Sequence, residues 1–204
     1  MKRKKSRSKA RVVAAAGLPT RFGRFEVIGI KGSRPQDEAV AILHGRLKHG
    51  KAPLVRIHSQ CLTGDVFASQ RCDCRAQLEL SLRKIAKAQS GIVLYLPQEG
   101  RGIGLINKLR AYELQDEGLD TVEANRRLGF AADSRDYDFA AAALKALDVH
   151  SVQLLSNNPD KIRQLERNGI RVVERIPCRP RTNHHSRAYL RTKQRKLGHL
   201  LANL

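Results

Sequence analysis

Tryptophan is absent from the 204 residues, methionine occurs once, and Asp and Glu number 19 against 39 Lys and Arg. The missing tryptophan decides little. The lack of long apolar runs decides more, because nothing here approaches the roughly 20 residues of a membrane span. Ala14-Ala15-Ala16 is also too short and too weakly apolar to form a signal-peptide core behind the basic start Met1-Lys2-Arg3-Lys4-Lys5. No membrane partner is expected. The expected location is the cytoplasm, where thiols stay reduced.

The shortage of acids leaves a net charge of +20, which suggests nucleic acid until the charge is located. Residues 1–11 carry seven Lys or Arg and no acid, and residues 179–196 carry seven more and no acid. These ends supply 14 of the 20 charges and leave +6 between them. Tails of this kind are solvated and hold polyanions loosely, with strong salt dependence. No aromatic residue interleaves the N-terminal tail, so base stacking has no support there. Specific nucleic-acid binding is not expected.

The stretch between the ends reads as one α/β domain. Phe25–Ile30, Ala39–Leu43, Leu54–His58 and Ile92–Leu96 read as strands, the first entered through a turn at Leu18-Pro19-Thr20. Leu78, Leu82, Ile85 and Ala86 fall at helical spacing, and further helices are expected from Leu105 to Gly118 and from Phe139 to Leu147. Strand Val152–Leu155, a helix from Pro159 to Asn168 and strand Ile170–Val173 form the clearest unit. Asn158 is its N-cap, Pro159 opens its first turn and Gly169 ends it. A strand, helix and strand of this length predict a right-handed parallel crossover. The expected architecture is a mixed sheet flanked by helices, with this C-terminal βαβ unit.

Three of the four cysteines lie close together: Cys61, then Cys72-Asp73-Cys74. Three thiols can converge on one soft divalent ion. Structural zinc is usually closed by four ligands, whereas catalytic zinc keeps a corner free. Three readings stand beside this one. The cysteines could be small buried residues on one face of a strand, they could form a disulfide, or Cys178 or a histidine could close a structural site. Two loops could receive anions. Gln98-Glu99-Gly100-Arg101-Gly102-Ile103-Gly104 combines backbone freedom with a forked donor. In Ser156-Asn157-Asn158-Pro159-Asp160-Lys161 a helix N-terminus, a hydroxyl and an ammonium could share a phosphate, although a capped helix with a solvated lysine explains the same residues. Asp133 and Arg135 form either a surface pair or an acid-and-clamp pair in a cleft.

Taken together, these segments resemble GTP cyclohydrolase II. The likeness is carried by Arg56-Ile57-His58-Ser59-Gln60-Cys61-Leu62-Thr63-Gly64-Asp65, Arg71-Cys72-Asp73-Cys74 and Gln98–Leu105, and by Asn107-Lys108-Leu109-Arg110-Ala111-Tyr112. Asp120–Asn125, Leu128–Asp133 and Lys196–Leu201 extend it, so that it spans roughly Leu18 to Leu201. The resemblance implies a homodimer that hydrolyses GTP to formate, pyrophosphate and a diaminopyrimidine ribosyl phosphate in riboflavin formation, using zinc and magnesium. It implies zinc on Cys61, Cys72 and Cys74, Arg135 as nucleophile at the α-phosphate, Asp133 as proton acceptor and Tyr112 beside the purine. GTP contacts would come from Arg56, Ile57, His58, Ser59, Gln60, Gln77, Glu99, Gly100, Arg101, Thr121, Ser156 and Lys161. On this basis residues 1–17 are a basic flexible tail, 18–177 the catalytic domain and 178–204 its basic closing segment. No room remains for a dihydroxybutanone phosphate synthase domain.

Three positions depart from the family pattern. Gln60 stands where glutamate is expected, Arg75 where glycine usually follows the cysteines, and Ser156 where threonine is usual. The first two leave open an altered product or a different nucleotide. A zinc-stabilised nucleic-acid-binding module is the remaining alternative.

Overall fold

The computed structural model describes residues 9–180 together with 191, 192, 194–196, 198 and 200. Its frame is one seven-stranded sheet made of β1 (Ala10–Thr20), β2 (Gly23–Gly32), β3 (Glu38–Gly45), β4 (Leu54–Ser59), β5 (Ser90–Leu96), β6 (Ser151–Leu155) and β7 (Arg171–Ile176). Their order across the sheet is β1-β2-β3-β5-β4-β6-β7. The strands from β1 to β5 pair antiparallel, whereas β5, β4, β6 and β7 run parallel. The mixed α/β architecture is the expected one, and β6 and β7 are the parallel pair of the C-terminal βαβ unit.

Helices α1 (Leu62–Asp65), α2 (Cys74–Ala86), α3 (Leu105–Asp116), α4 (Thr121–Arg127), α5 (Asp138–Ala146) and α6 (Pro159–Arg167) complete the chain, with a 3₁₀ turn at Glu99–Gly102. The central strands read as nearly continuous apolar runs because both sheet faces are covered. Successive side chains point to opposite faces. Val55, Ile57, Ile92, Leu94 and Leu154 therefore pack with Phe139, Ala140 and Leu144 of α5, while Leu54, Val93 and Leu155 pack with Leu82 and Ile85 of α2. The C-terminal ends of parallel β4 and β6 open between these layers, which is the usual ligand crevice of an α/β sheet.

Residues 10–17 require a correction. Expected in a flexible tail, they form most of β1, whose partners on β2 run from Ala10↔Gly32 to Thr20↔Gly23. The expected turn at Leu18-Pro19-Thr20 is the end of this strand; the reversal falls at Arg21-Phe22, where Thr20 Oγ1 donates to the Gly23 carbonyl at 2.9 Å. Every residue from Arg11 to Gly17 is exposed. An edge strand of this kind carries no inside-outside alternation, so the period-2 signal of a half-buried strand is missing. Pro19 is tolerated because it sits on that edge. Helix α4 was also not expected, although Asp120 and Glu123 form its capping box.

The rest of the expected N-terminal tail, residues 1–8, lies outside the described residues, as does much of the closing segment 178–204. Two described parts of that segment are anchored. The Asn157 side chain brackets the Cys178 backbone, donating to its carbonyl at 2.6 Å and accepting from its N–H at 3.0 Å. Lys196 pairs with Asp120 and with Glu123.

Leu144 is fully buried between α5 and the sheet and lies off the cleft. Leu144→Ala is expected to lower stability by about 2–5 kcal/mol in urea unfolding. A loss well under 1 kcal/mol would contradict this packing.

Candidate active site

The chain after β4 turns sharply into α1, and Cys74 opens α2. This brings the sulfurs of Cys61, Cys72 and Cys74 within 4.8 Å of one another, with Cys61 and Cys72 3.7 Å apart. All four cysteines are free thiols, which removes the disulfide reading, and Cys74 lies on a helix, not a strand. Among the described residues no fourth Cys, His, Asp or Glu joins the trio. Cys178 sits elsewhere, 3.7 Å from Ser81 Oγ.

The cradle depends on Gly64. A Cβ at that position would stand 2.9 Å from Cys72 Sγ and 3.1 Å from Cys61 Sγ. The donor set, three convergent soft sulfurs, fits a thiophilic divalent metal. Asp65 holds the entry to the cradle, accepting from the Cys61 N–H at 3.0 Å and from the Tyr95 hydroxyl at 2.9 Å. It also meets His58 Nε2 at 3.1 Å.

Hydrogen bonds from Cys72 and Cys74, helped by the nearby Lys108 ammonium, draw Cys61 far below the usual thiol range against the effect of burial. Its bond to Cys61 is the chief reason Cys72 is pushed up to about 11, and Cys74 is raised by the same bonding. Lys108 Nζ lies 3.2 Å from Cys61 Sγ and 2.8 Å from Glu99 Oε1. Glu99 in turn accepts from the Gly100 N–H at 2.8 Å and, through Oε2, from the Leu62 N–H at 2.6 Å. The Tyr112 hydroxyl meets Thr63 Oγ1 at 3.2 Å, and Arg71 lies over the Tyr112 ring at 4.9 Å.

A cavity of about 1030 Å³, counting open solvent at its mouth, joins this corner to a cationic wall. Among the described residues its lining has six Lys and Arg side chains (Arg56, Arg71, Arg101, Lys108, Arg135 and Lys161) against the single carboxylate of Glu99. Lys161 is not the solvated lysine that the capped-helix reading allowed. It is buried, donating to the Ile57 carbonyl at 2.8 Å. Burial, then the charges of Arg56 and Arg135, push its pKa well below the usual lysine range. Arg56 donates to the Leu155 carbonyl at 3.1 Å and to Gln77, and its buried Nε finds no protein acceptor. Beside Lys161, Ser156 Oγ accepts from the Asn158 N–H at 3.1 Å, and Asn158 caps α6.

The glycine loop supplies the opposite side. Gly100 and Arg101 both adopt left-handed backbone, with φ of 62° and 61°. Glycine tolerates this freely, but for arginine it is a strained conformation, of order 1–3 kcal/mol, held by its surroundings. The Arg101 carbonyl accepts from the Ser134 N–H at 3.1 Å, which ties the loop to Asp133 and Arg135. These two form a forked pair, with Arg135 Nε 2.9 Å from Asp133 Oδ1. Burial alone would raise Asp133, but the Arg135 fork holds it below the usual carboxylate range.

Most of the predicted positions meet in this cavity: Arg56, His58, Ser59, Gln60, Gln77, Glu99, Gly100, Arg101, Tyr112, Thr121, Arg135, Ser156, Lys161 and the three cysteines all line it. Two do not. The Ile57 side chain is fully buried in the core, since alternation on β4 turns it away from the cleft, and its carbonyl is taken by Lys161. Asp133 stands behind Arg135 and does not line the cavity. Arg75, which stands where glycine is usual, lies outside the lining and bonds Glu79 one helical turn away at 3.1 Å. The lining also includes Arg71, Lys108, Gln115 and Asn125, to which the sequence reading gave no role; a lysine at a helical position carries no mark of burial.

Fold and cleft together define an α/β domain in which a cradle of three thiols opens onto a cationic pocket. The sequence matches the GTP cyclohydrolase II family over residues 10–177, and the chain belongs to that family. It is 53% identical over 191 residues to the GTP cyclohydrolase-2 of Pseudomonas syringae pv. tomato, covering 94% of this chain and 93% of that one. It is 48% identical over 196 residues to the GTP cyclohydrolase-2 of Histophilus somni, covering 96% and 91%. The riboflavin biosynthesis protein RibBA of Bacillus mycoides is 53% identical over 184 residues, which is 90% of this chain but 46% of that protein. The chain thus spans about half the length of its RibBA relatives.

Gly64→Ala is expected to push the thiols apart, because its methyl would meet two sulfurs at once. The purified variant should keep its circular dichroism spectrum and lose at least about tenfold in zinc affinity. Undiminished zinc affinity would show that the trio does not form the cradle.

Proposed function

We propose that this chain is an active GTP cyclohydrolase: it hydrolyses GTP to formate, pyrophosphate and a diaminopyrimidine ribosyl phosphate, a committing reaction of riboflavin formation. The observation that carries this reading is one cavity lined, among the described residues, both by three convergent thiols and by six Lys and Arg side chains. A purine with a triphosphate needs these two chemistries within one molecule's length. The identity with GTP cyclohydrolase-2 relatives supports the reading along nearly the whole chain.

Cys61, Cys72 and Cys74 would hold zinc, which when bound supplies a Lewis acid that makes water nucleophilic near neutral pH. The remaining work belongs to the protein. Arg56, Arg101, Arg135 and Lys161 would take the phosphates, with magnesium on the triphosphate as the resemblance implies. Burial and two guanidiniums push the Lys161 pKa down, and an incoming phosphate would favour its charged form. Gln60, Gln77, Ser59, Thr121 and Ser156 offer neutral hydrogen bonds to base, ribose and phosphate. Tyr112 would close over the purine, steadied by Thr63 and Arg71.

The resemblance casts Arg135 as a nucleophile and Asp133 as its proton acceptor. A guanidinium is a poor nucleophile until deprotonated, and Asp133 held low by that same guanidinium is a weak base. The forked pair favours a charge clamp at the α-phosphate, with Asp133 fixing the direction of Arg135. Of the departures that raised an altered product, only Gln60 lines the cavity, so Arg75 gives that alternative no support. The nucleic-acid reading rests on basic ends that lie mostly outside the described residues. A homodimer in the cytoplasm completes the proposal, on the resemblance and on the reduced thiols.

Incubating the zinc-loaded protein with GTP should release formate and pyrophosphate; full metal loading with neither product would overturn the reading. Cys72→Ser should lose metal and formate release together. Arg135→Ala should slow pyrophosphate release by about 10²–10³-fold, the cost of removing a preorganised charge-stabilising donor. Pyrophosphate release at the parent rate would remove Arg135 from the chemistry.

A further inference from the structure

The most unusual buried group that the assigned roles leave out is Lys108. It sits on α3 and is one of two buried lysines among the described residues, at 8% exposure. An isolated lysine in such a place would shed its proton, because burial disfavours the ammonium. Lys108 is not isolated: the Glu99 carboxylate, as little exposed as the ammonium itself, forms an ion pair with it. The ammonium has two anionic partners at hydrogen-bond distance, Glu99 Oε1 at 2.8 Å and Cys61 Sγ at 3.2 Å. A third contact, with the face of Tyr112 at 5.7 Å, closes its surroundings.

This placement links three separate parts of the cleft. Through Cys61 the ammonium touches the metal cradle. Through Glu99, which also binds the Leu62 and Gly100 N–H groups, it joins the first turn of α1 to the glycine loop. Both Glu99 oxygens are therefore engaged within the protein, and the carboxylate fixes loops more than it faces ligand. Through Tyr112 it lies under the ring assigned to the purine. Three thiolates around one divalent cation leave a net charge of −1, which a nearby ammonium neutralises. An N–H donor on a ligating sulfur also withdraws electron density from it, and this makes the metal a stronger Lewis acid. Donor groups behind first ligands tune metal sites in this way.

We propose that Lys108 is a positioning residue that donates a charged hydrogen bond to the Cys61 sulfur and so sets the electronic character of the metal held by Cys61, Cys72 and Cys74. The inference rests on the metal-dependent reading above. Glu99 is the anchor that keeps the ammonium aimed at the sulfur.

The test uses the full-length protein with cobalt(II) in place of zinc, since cobalt reports its sulfur ligands through sulfur-to-metal charge-transfer absorption. Lys108→Arg keeps charge and donor, Lys108→Gln keeps a donor without charge, and Lys108→Met keeps neither. Removing the hydrogen bond raises the energy of the sulfur electrons, so the charge-transfer band should move to longer wavelength in the order Arg, Gln, Met. Metal affinity, measured by chelator competition, should fall about 10–100-fold for Lys108→Met and be largely preserved in Lys108→Arg. A band identical to the parent's in folded Lys108→Gln or Lys108→Met would overturn the proposal, and either of the two that folds suffices for the comparison. If the parent protein shows no cobalt–sulfur band at all, the metal reading itself fails.

Discussion

Three thiols converging under a glycine set the terms for the rest of this cleft. Sulfurs this close cannot all carry charge unaided: the bonds from Cys72 and Cys74 draw the Cys61 thiol down and push the other two up. A divalent cation reverses that arrangement, releasing protons as it binds. The protein supports the trio from two sides. Asp65 secures the Cys61 backbone, and Lys108 faces the sulfur itself. The space left at Gly64 is what allows the sulfurs to meet.

The sheet places a second, opposite charge pattern within reach. Parallel strands β4 and β6 end side by side, so Arg56 from β4 and the Ser156–Asn158 loop after β6 open into one crevice. The left-handed turn at Gly100-Arg101 brings the glycine loop against Ser134 and fixes the Asp133–Arg135 pair next to it. Arg56 and Lys161 are buried, Arg135 is partly so, and the two guanidiniums push the Lys161 pKa down; gathering basic groups this closely is costly without further anionic charge. Their arrangement makes sense as a receptor for phosphates. The sulfur corner alone would suit many metal proteins, and the cationic wall alone many nucleotide binders; their union in one cavity is what the proposed ring-opening activity requires.

Much of this was legible in the sequence, for reasons specific to each element. The central strands announced themselves because burial on both faces demands unbroken apolar runs, as in Ile92–Leu96. Helix α6 was bounded by its own cap, Asn158, and by Gly169. Strand β1 was hidden because an exposed edge strand rich in alanine shows no alternation, and its basic flank resembled a tail. The capping residues of α4, Asp120 and Glu123, were present but the helix they start is only seven residues long. The site was recovered through motif resemblance more than through periodicity. Ile57 shows the limit of that route: its neighbours Arg56 and His58 line the cleft, while alternation sends its side chain into the core. Lys108 and Lys161 show another limit, since only the folded chain reveals that both are buried.

The most direct test of the central claim is the coordination of zinc in the purified, full-length protein, measured by X-ray absorption at the zinc edge. Three sulfurs at about 2.3 Å and one lighter oxygen or nitrogen neighbour are predicted. A shell of four sulfurs, or one with no sulfur, would contradict an open thiolate centre and the hydrolytic role built on it.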